Sequence, residues 1–470
     1  YPFYEQFPKP QAQRPPAVVL IHGFSADRAF MSGLARRLTQ NGYGVLAIDV
    51  RGHGENRNPF NGGEGEGGLR DDVKKAVEYL RASNFVDGSR IVVIGHSMGA
   101  GAALDYATND PNLKAAVMIS GGWVLGPQRP KNALFIFAER DPDEPIQQTS
   151  SALAEHLAGV TQIELGKPYG DFAQGTAVEA IRMPGLNHVT IVNSPDATEK
   201  IVKWLDSSLG TSRTAPLNLV DSRVRTQRLA LLVFVILLIP LGRLCGSMVA
   251  NWGEERPRPR GWVGLLILVG ALFAAMPLTS ANPAAFVPVV IGSIQVSWLA
   301  VASLFILGVL ALTGKLEWRR IREGLGVAVA VGAVAFAIVY VCHVAFSVML
   351  HNVALTPERL MVMAMAVVLT FPFWMGFELL VRRGGVAIST VWGSIGRAAI
   401  VVLTAVGAFL NVLPFVLLLV LPILAIAFVM LEIFAASAYS TSRNLTLIAA
   451  FETLWFAWML ASTNPITFMF

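Results

Sequence analysis

The sequence predicts an α/β unit, doubly wound around a mostly parallel sheet, followed by an all-α bundle of membrane-spanning helices. Three observations carry this. The stretch Gly95-His96-Ser97-Met98-Gly99 lies between the apolar run Ile91–Ile94 and the small-residue run Ala100–Leu104, which reads as strand, sharp turn, helix. Short apolar runs alternate with helix-like segments before and after it. Beyond about residue 225 the chain becomes a near-continuous series of long apolar segments. The whole-chain averages, a mean hydropathy of +0.53 and 15% charged residues, conceal this division. The expected organisation is an α/β domain over 1–210, a Ser-, Thr-, Pro- and Arg-rich linker over 211–228, and a helical domain of about eight spans over 229–470.

In the first part, strands are expected at Ala17–Ile21, Val45–Asp49 and Ile91–Ile94, then near Ile119, at Ala133–Ala138 and at Thr176–Met183, with a helix over Leu69–Ala82. A serine at so tight a strand–helix turn is strained, and side chains two residues to either side would clash, which explains Gly95 and Gly99. An acidic segment, Glu139–Pro145, follows the strand Ala133–Ala138. A histidine loop, Pro184-Gly185-Leu186-Asn187-His188, follows the last strand. The chain order Ser…Asp…His differs from the two other common serine-protease orders. The glycine cluster Gly62–Gly68 lacks a GxxxxGK[ST] pattern and reads as a mobile loop near the site rather than a phosphate loop. Only Ser120–Asn132 separates two of the strands, which leaves no room for a lid domain. Trp123, Val124 and Leu125 in that interval are expected to face the bilayer or the helical domain.

Five motifs in order, His22-Gly23-Phe24, Asp49-Val50-Arg51-Gly52-His53-Gly54, Gly95-His96-Ser97-Met98-Gly99, Asp141 four residues before Pro145, and His188, make the segment from about 15 to 209 resemble an α/β-hydrolase. It is similar to the monoacylglycerol lipase and serine aminopeptidase branch, over less than half of the chain. The resemblance implies Ser97 as nucleophile, His188 as base and Asp141 as orienting acid, with an oxyanion hole from the backbone N–H groups of Phe24 and Met98. The chemistry agrees. A serine hydroxyl needs an adjacent base, the imidazole needs a partner that fixes its tautomer, and losing one oxyanion donor typically costs ~3 kcal/mol of barrier. Asp143 and Glu144 compete with Asp141 for the acid, and His156 with His188. His22 and His53 read as loop-shaping residues. His96 reads as a core residue or a substrate-side contact and is grouped with Trp123 as substrate-binding. No cofactor, metal site or nucleic-acid partner is expected, and oligomeric state is left open.

Candidate spans are Leu229–Val249, Trp262–Pro277, Ala284–Leu312, Gly324–Leu350, Leu360–Val381, Ala398–Leu413, Pro414–Ser437 and Leu445–Ser462. Basic residues crowd alternate loops: Arg256, Arg258 and Arg260; Lys315, Arg319, Arg320 and Arg322; Arg382, Arg383 and Arg397; and Arg443. The intervening loops hold only Arg359. Basic loops stay cytoplasmic, so the α/β domain is expected outside the cytoplasm, although Arg223, Arg225 and Arg228 argue the other way. An outside domain calls for an export signal, and because the chain begins at Tyr1 a removed upstream segment is expected. Both cysteines, Cys245 and Cys342, fall in spans. Arg243, His343, Glu378, Glu432 and Glu452 lie within apolar segments, where ionisable groups are expensive to bury. Arg243, Glu378 and Glu432 are expected to pair or snorkel near span ends. His343 is expected either to pack or to meet the α/β domain or a lipid head group, and Glu452 is unexplained. The reading that follows is a membrane-embedded serine hydrolase acting on an ester of a lipid or lipid-linked molecule. Acyl transfer or peptide hydrolysis by the same residues, and a transporter carrying a regulatory hydrolase-like domain, stand as alternatives.

Overall fold

The computed structural model describes residues 3–6, 13–62, 67–122, 129–155, 157, 160–253, 259–281, 287–346 and 355–467. The chain divides into two compact units, one ending at Val224 and the other starting at Arg225.

In the first unit the elements run β1 (Phe3–Gln6), β2 (Pro16–Ile21), α1 (Ser32–Gln40), β3 (Gly44–Ile48), α2 (Leu69–Ala82), β4 (Asp87–His96), α3 (Met98–Asn109), β5 (Ala115–Ile119), β6 (Ala133–Ala138), α4 (Asp143–Ala154), β7 (Val178–Met183) and α5 (Pro195–Leu209). They form one seven-stranded sheet in the order β1-β3-β2-β4-β5-β6-β7. All pairings are parallel except the edge strand β1 against β3. Successive strand residues point to opposite faces, and both faces are covered. Ala17, Val19, Ile21, Ile91, Val93, Phe135 and Phe137 pack with α2, α3 and α4. Val18, Leu20, Val92, Ile94, Leu134 and Ile136 pack with α1 and α5. Burial on two faces is why these strands read as continuous apolar runs rather than alternating ones. Between β5 and β6 no helix occurs among the described residues.

The end of α5 and the segment after it are tied down. Ser194 caps the helix by accepting from the Ala197 N–H, and Gly210, at φ 60°, closes it in the left-handed conformation. Residues 211–221, expected to be a linker, dock on α1 and α5 instead. Arg213 donates to both Asp206 oxygens at 2.8 Å and to the Asn41 carbonyl at 2.9 Å. The Asn41 side chain donates to the Asn218 carbonyl at 2.8 Å, and the Arg37 guanidinium donates to the Leu219 carbonyl at 2.9 Å. Each bond pairs a backbone or charged group that a free linker would leave to water.

The second unit comprises α6 (Arg223–Ser247), α7 (Gly261–Ala281), α8 (Gly292–Leu312), α9 (Trp318–Phe346), α10 (Pro357–Val381), α11 (Val386–Phe409), α12 (Leu417–Ser442) and α13 (Leu445–Thr463). All eight are long and apolar enough to cross a bilayer. α13 is the most enclosed, with 83% of its apolar window buried against 28% for α6, and it packs against α9, α10 and α12. α11 begins twelve residues before the span expected from Ala398. Ser389, Gly393, Gly396 and Arg397 dilute its apolar signal, yet all four are buried. Arg397, expected in a loop, therefore lies inside a helix. Arg359, in the first turn of α10, is likewise buried and donates to the carbonyls of Ala461, Ser462 and Asn464. Arg243 is exposed, and His343 is buried against the rings of Phe234 and Trp458.

Replacing Arg213 with Ala should free the docked segment. Limited proteolysis of the full chain should then cut within 211–221 several-fold faster than in wild type, whereas an unchanged rate would show that other contacts hold it.

Candidate active site

Ser97 sits where β4 turns into α3, at φ 55° and ψ −118°. This is a conformation an L-residue adopts only when its surroundings impose it. The Ser97 N–H donates to the Ile119 carbonyl at 2.8 Å, and its carbonyl accepts from the Ala100 N–H at 2.9 Å. A Cβ on Gly95 would overlap the Gly99 backbone, one on Gly99 the backbone of Ile21 and His22, and one on Gly121 the Ser97 backbone. The turn thus closes only with glycine at these three places.

Two loops meet at the serine. Asp141 lies just past β6 and His188 past β7. The loops are joined by Glu139 N–H to the Met183 carbonyl at 3.0 Å and by Gly185 N–H to Glu139 Oε2 at 2.8 Å. The Asn187 side chain accepts from the N–H groups of Val189 and Thr190, which fixes the backbone around His188. As a result His188 Nε2 stands 3.0 Å from Ser97 Oγ, and His188 Nδ1 stands 2.9 Å from Asp141 Oδ1. Asp141 Oδ2 accepts from Ser120 Oγ at 2.6 Å and from the Ala138 N–H at 2.8 Å. Burial pushes the Asp141 carboxyl up. The bonds from His188, Ser120 and the Ala138 N–H outweigh it and hold the group below the usual carboxylate range. Asp143 is turned away into an exposed ion pair with Arg182 at 2.7 Å, and Glu144 is exposed.

His96, expected on the substrate side, is buried, and its Nε2–H donates to the backbone carbonyl of His188 at 2.8 Å. Its Nδ1 is buried without a partner. Burial first, and the neighbouring His188 second, push its pKa down to about 3, so it remains a neutral strut for the histidine loop. Trp123, Val124, Leu125 and His156 lie outside the described residues, as does the centre of the Gly62–Gly68 loop.

Phe24 follows β2 and Met98 opens α3. Neither backbone N–H donates a hydrogen bond among the described residues. The loop carrying Phe24 is held from behind by Asp49, which accepts from the Arg28 N–H at 2.7 Å and the Glu55 N–H at 2.9 Å and pairs with the Arg28 guanidinium. Gly54, at φ 52°, leaves room for that carboxylate. The Val50 N–H donates to His22 Nε2 at 3.2 Å, and His22 Nδ1 lies 2.8 Å from the Gly23 carbonyl. His22 therefore braces the loop, and His53 does the same from the Arg51 carbonyl. Ser120 and Arg28 are the site residues that the sequence reading passed over. The signal for Ser120 was a strand end followed by two glycines, Ser120-Gly121-Gly122.

The sheet order and the position of the β4–α3 turn give the first unit an α/β-hydrolase fold. Residues 12–144 match the family described as Serine aminopeptidase, S33. An uncharacterized protein of Mycobacterium tuberculosis is 36% identical over 105 residues, covering 22% of this chain and 36% of the relative. The bis(hydroxyethyl) terephthalate hydrolase of Streptomyces coelicolor is 30% identical over 137 residues, 28% of this chain and 41% of the relative. The chain thus spans well under half of the length of these relatives. Among solved structures, a soluble variant of monoglyceride lipase from Saccharomyces cerevisiae in complex with a substrate analog aligns at 14% identity. It covers 44% of this chain and 91% of the lipase, with a TM-score of 0.33.

The Asp141 environment makes a pH prediction. Its stabilisation is fully present above the unfolded carboxyl value of about 3.9 and is lost as pH falls through its depressed native value. Ser120→Ala removes a hydrogen bond to a charged group, worth about 1.5–3 kcal/mol. Acid unfolding of the variant, followed by near-ultraviolet circular dichroism, should begin at higher pH than in wild type. An unmoved acid limb would show that Ser120 does not hold the charge.

Proposed function

We propose that the chain is a membrane-embedded serine hydrolase that cleaves an ester of a lipid or lipid-linked molecule through an acyl-enzyme on Ser97. The observation that carries this reading is the unbroken hydrogen-bond chain from Asp141 through His188 to Ser97 Oγ. In the first step Ser97 Oγ attacks the ester carbonyl while its proton passes to His188 Nε2. The N–H groups of Phe24 and Met98 receive the oxyanion. Collapse expels the alcohol, which takes the proton back from His188, and leaves the acyl group on Ser97. Water then repeats the sequence: His188 takes its proton, the ester to Ser97 breaks, and the acid leaves. Asp141 fixes the imidazole tautomer and stabilises the imidazolium throughout. Acyl transfer to another acceptor, or peptide hydrolysis, would use the same residues, and the match to the terephthalate hydrolase is in keeping with hydrolysis.

The lipid substrate class rests on two supports: the eight apolar helices, and an interval between β5 and β6 too short for a lid domain. The extracytoplasmic placement rests on Arg260, Lys315, Arg319, Arg320, Arg322, Arg383 and Arg443, which flank the ends of alternate spans, with Arg319, Arg320 and Arg322 in the first turns of α9 ahead of its apolar stretch. Arg382, Arg397 and Arg359, being buried, drop out of that count.

A fluorophosphonate probe should label wild type and fail on Ser97→Ala. Asp141→Asn should lower kcat by about 10⁴-fold with the fold retained, and Asp143→Asn should not. Labelling of Ser97→Ala would end the assignment, and the reverse order of the two Asn variants would move the acid to Asp143. For substrate class, the protein in nanodiscs should hydrolyse long-chain monoacyl esters, and a truncation after Val224 should keep only short, soluble esters. Equal activity on both by the truncation would remove the helices from substrate access. For orientation, Lys203→Cys should react with an impermeant maleimide in intact cells and Thr313→Cys should not. The opposite pattern would invert the topology.

A further inference from the structure

The helical unit buries five charges in one place. Glu378 and Arg382 come from α10, Arg397 from α11, Glu432 from α12 and Glu452 from α13. Each is at most 6% exposed. Arg382 donates from Nε to Glu378 at 2.7 Å and in bidentate fashion to Glu432 at 2.6 and 2.8 Å. Arg397 reaches Glu378 at 3.3 Å, pairs with Glu432 and Glu452, and lies over the Phe377 ring. Gly393 makes the approach possible, since a Cβ there would stand 2.5 Å from Glu432 Oε2 and 3.0 Å from Arg382 Nη1.

The cluster does not balance. Three carboxylates face two guanidiniums, and in a medium where an uncompensated charge costs several kcal/mol the excess is neutralised. The partners are also unequal. Both oxygens of Glu378 and of Glu432 accept from an arginine. Glu452 uses only Oε1, and its Oε2 is buried with no hydrogen-bond partner. A metal cation is disfavoured beside two arginines, and a proton is the ligand of the right charge and size. A second feature adjoins the site. A cavity of about 20 Å³ is lined by Trp374, Ile400, Phe428 and Phe456, which lie three or four residues from Glu378, Arg397, Glu432 and Glu452 respectively. The four helices thus place the cavity one turn to a single side of the charges. Its volume admits one water, and Trp374, which lines it, buries an indole Nε1–H that has no partner.

We propose that Glu452 is a proton-binding site of the helical unit, its Oε2 carrying the proton that balances the cluster, with the neighbouring cavity seating the water through which that proton arrives. Binding converts one carboxylate and one proton from water into a neutral carboxyl, and nothing else changes. The charged groups around Glu452 are Glu378 and Arg382 on α10, Arg397 on α11 and Glu432 on α12. On α9, the titratable groups against α13 are Tyr340 and His343, both of which meet it at Trp458.

Infrared spectroscopy of the full-length protein in nanodiscs at neutral pH tests this directly. Wild type should show the C=O stretch of a protonated carboxylic acid. Glu452→Gln should abolish it. Glu452→Asp should keep it at a shifted frequency, while Glu378→Asp and Glu432→Asp leave the frequency unchanged. Absence of the band in wild type would mean that all three carboxylates are ionised and would overturn the proposal. So would a band surviving Glu452→Gln, or a shift produced by Asp at 378 or 432 instead of 452. Should Glu452→Gln fail to assemble, the wild-type band and the three Asp variants decide alone.

Discussion

Ser97, held at φ 55° and ψ −118°, occupies a backbone state that costs of order 1–3 kcal/mol, and much of the first unit is the means of imposing it. The strand before it is buried on both faces, so it cannot relax by shifting along the sheet without exposing Ile91 and Val93 on one side and Val92 and Ile94 on the other. The helix after it starts against Ile21 and His22, at a distance only Gly99 permits. The Ser97 N–H is held by Ile119 at the end of the neighbouring strand. That same strand end presents Ser120 to Asp141. One strained residue is therefore tied to three adjacent strands, and Asp141 is positioned by the element that also fixes Ser97.

Against this frame, the sequence disclosed the parts whose chemistry is local. The helix Leu69–Ala82 and the strand Ala133–Ala138 match their expected limits, because apolar periodicity marks the first and an unbroken apolar run the second without help from the rest of the chain. Ser97, Asp141 and His188 were named from order and context, and the structure brings them into one hydrogen-bond chain. What escaped was long-range. Ser120 looks like an ordinary turn residue until β6 places Asp141 opposite it. His96 adjoins Ser97 in sequence, but its ring bonds to a carbonyl ninety-two residues away. The edge strand β1 carries no signal of its own, since an antiparallel partner defines it. The segment 211–221 is polar and irregular, which is the composition of a linker, and only its hydrogen bonds to Asn41 and Arg37 make it part of the fold.

The apolar half hid its information in the opposite way. Hydropathy marks a span by the absence of charge, so a helix carrying Arg397 near its middle was cut short at Ala398. Arg382 and Arg397 look like loop cations and so entered the topology argument, although both are buried. Glu378 and Glu432 read as near span ends, where a carboxylate can pair or snorkel, whereas Glu452 reads as mid-span, and its partner Arg397 reads as a loop residue. Once α11 is extended back to Val386, the five charges fall at one level.

The two units solve the same electrostatic problem by different means. Asp141 is buried with its charge intact because three fixed dipoles and hydrogens converge on it, from His188, Ser120 and the Ala138 N–H. Such donors are available at strand ends and loops, where backbone groups are unspent. Inside a helical bundle the backbone N–H groups are consumed by the helices themselves, so a carboxylate there must find a side-chain donor. Arginine, with five N–H groups in a planar fork, is the side chain that satisfies the most acceptor atoms. Two arginines can each serve more than one carboxylate, as they do here, and that sharing is what makes an uneven count of charges structurally possible. A pairwise arrangement would have left the third glutamate with no partner at all. The shared arrangement leaves it with one bond and one open oxygen, a group held in place but not saturated.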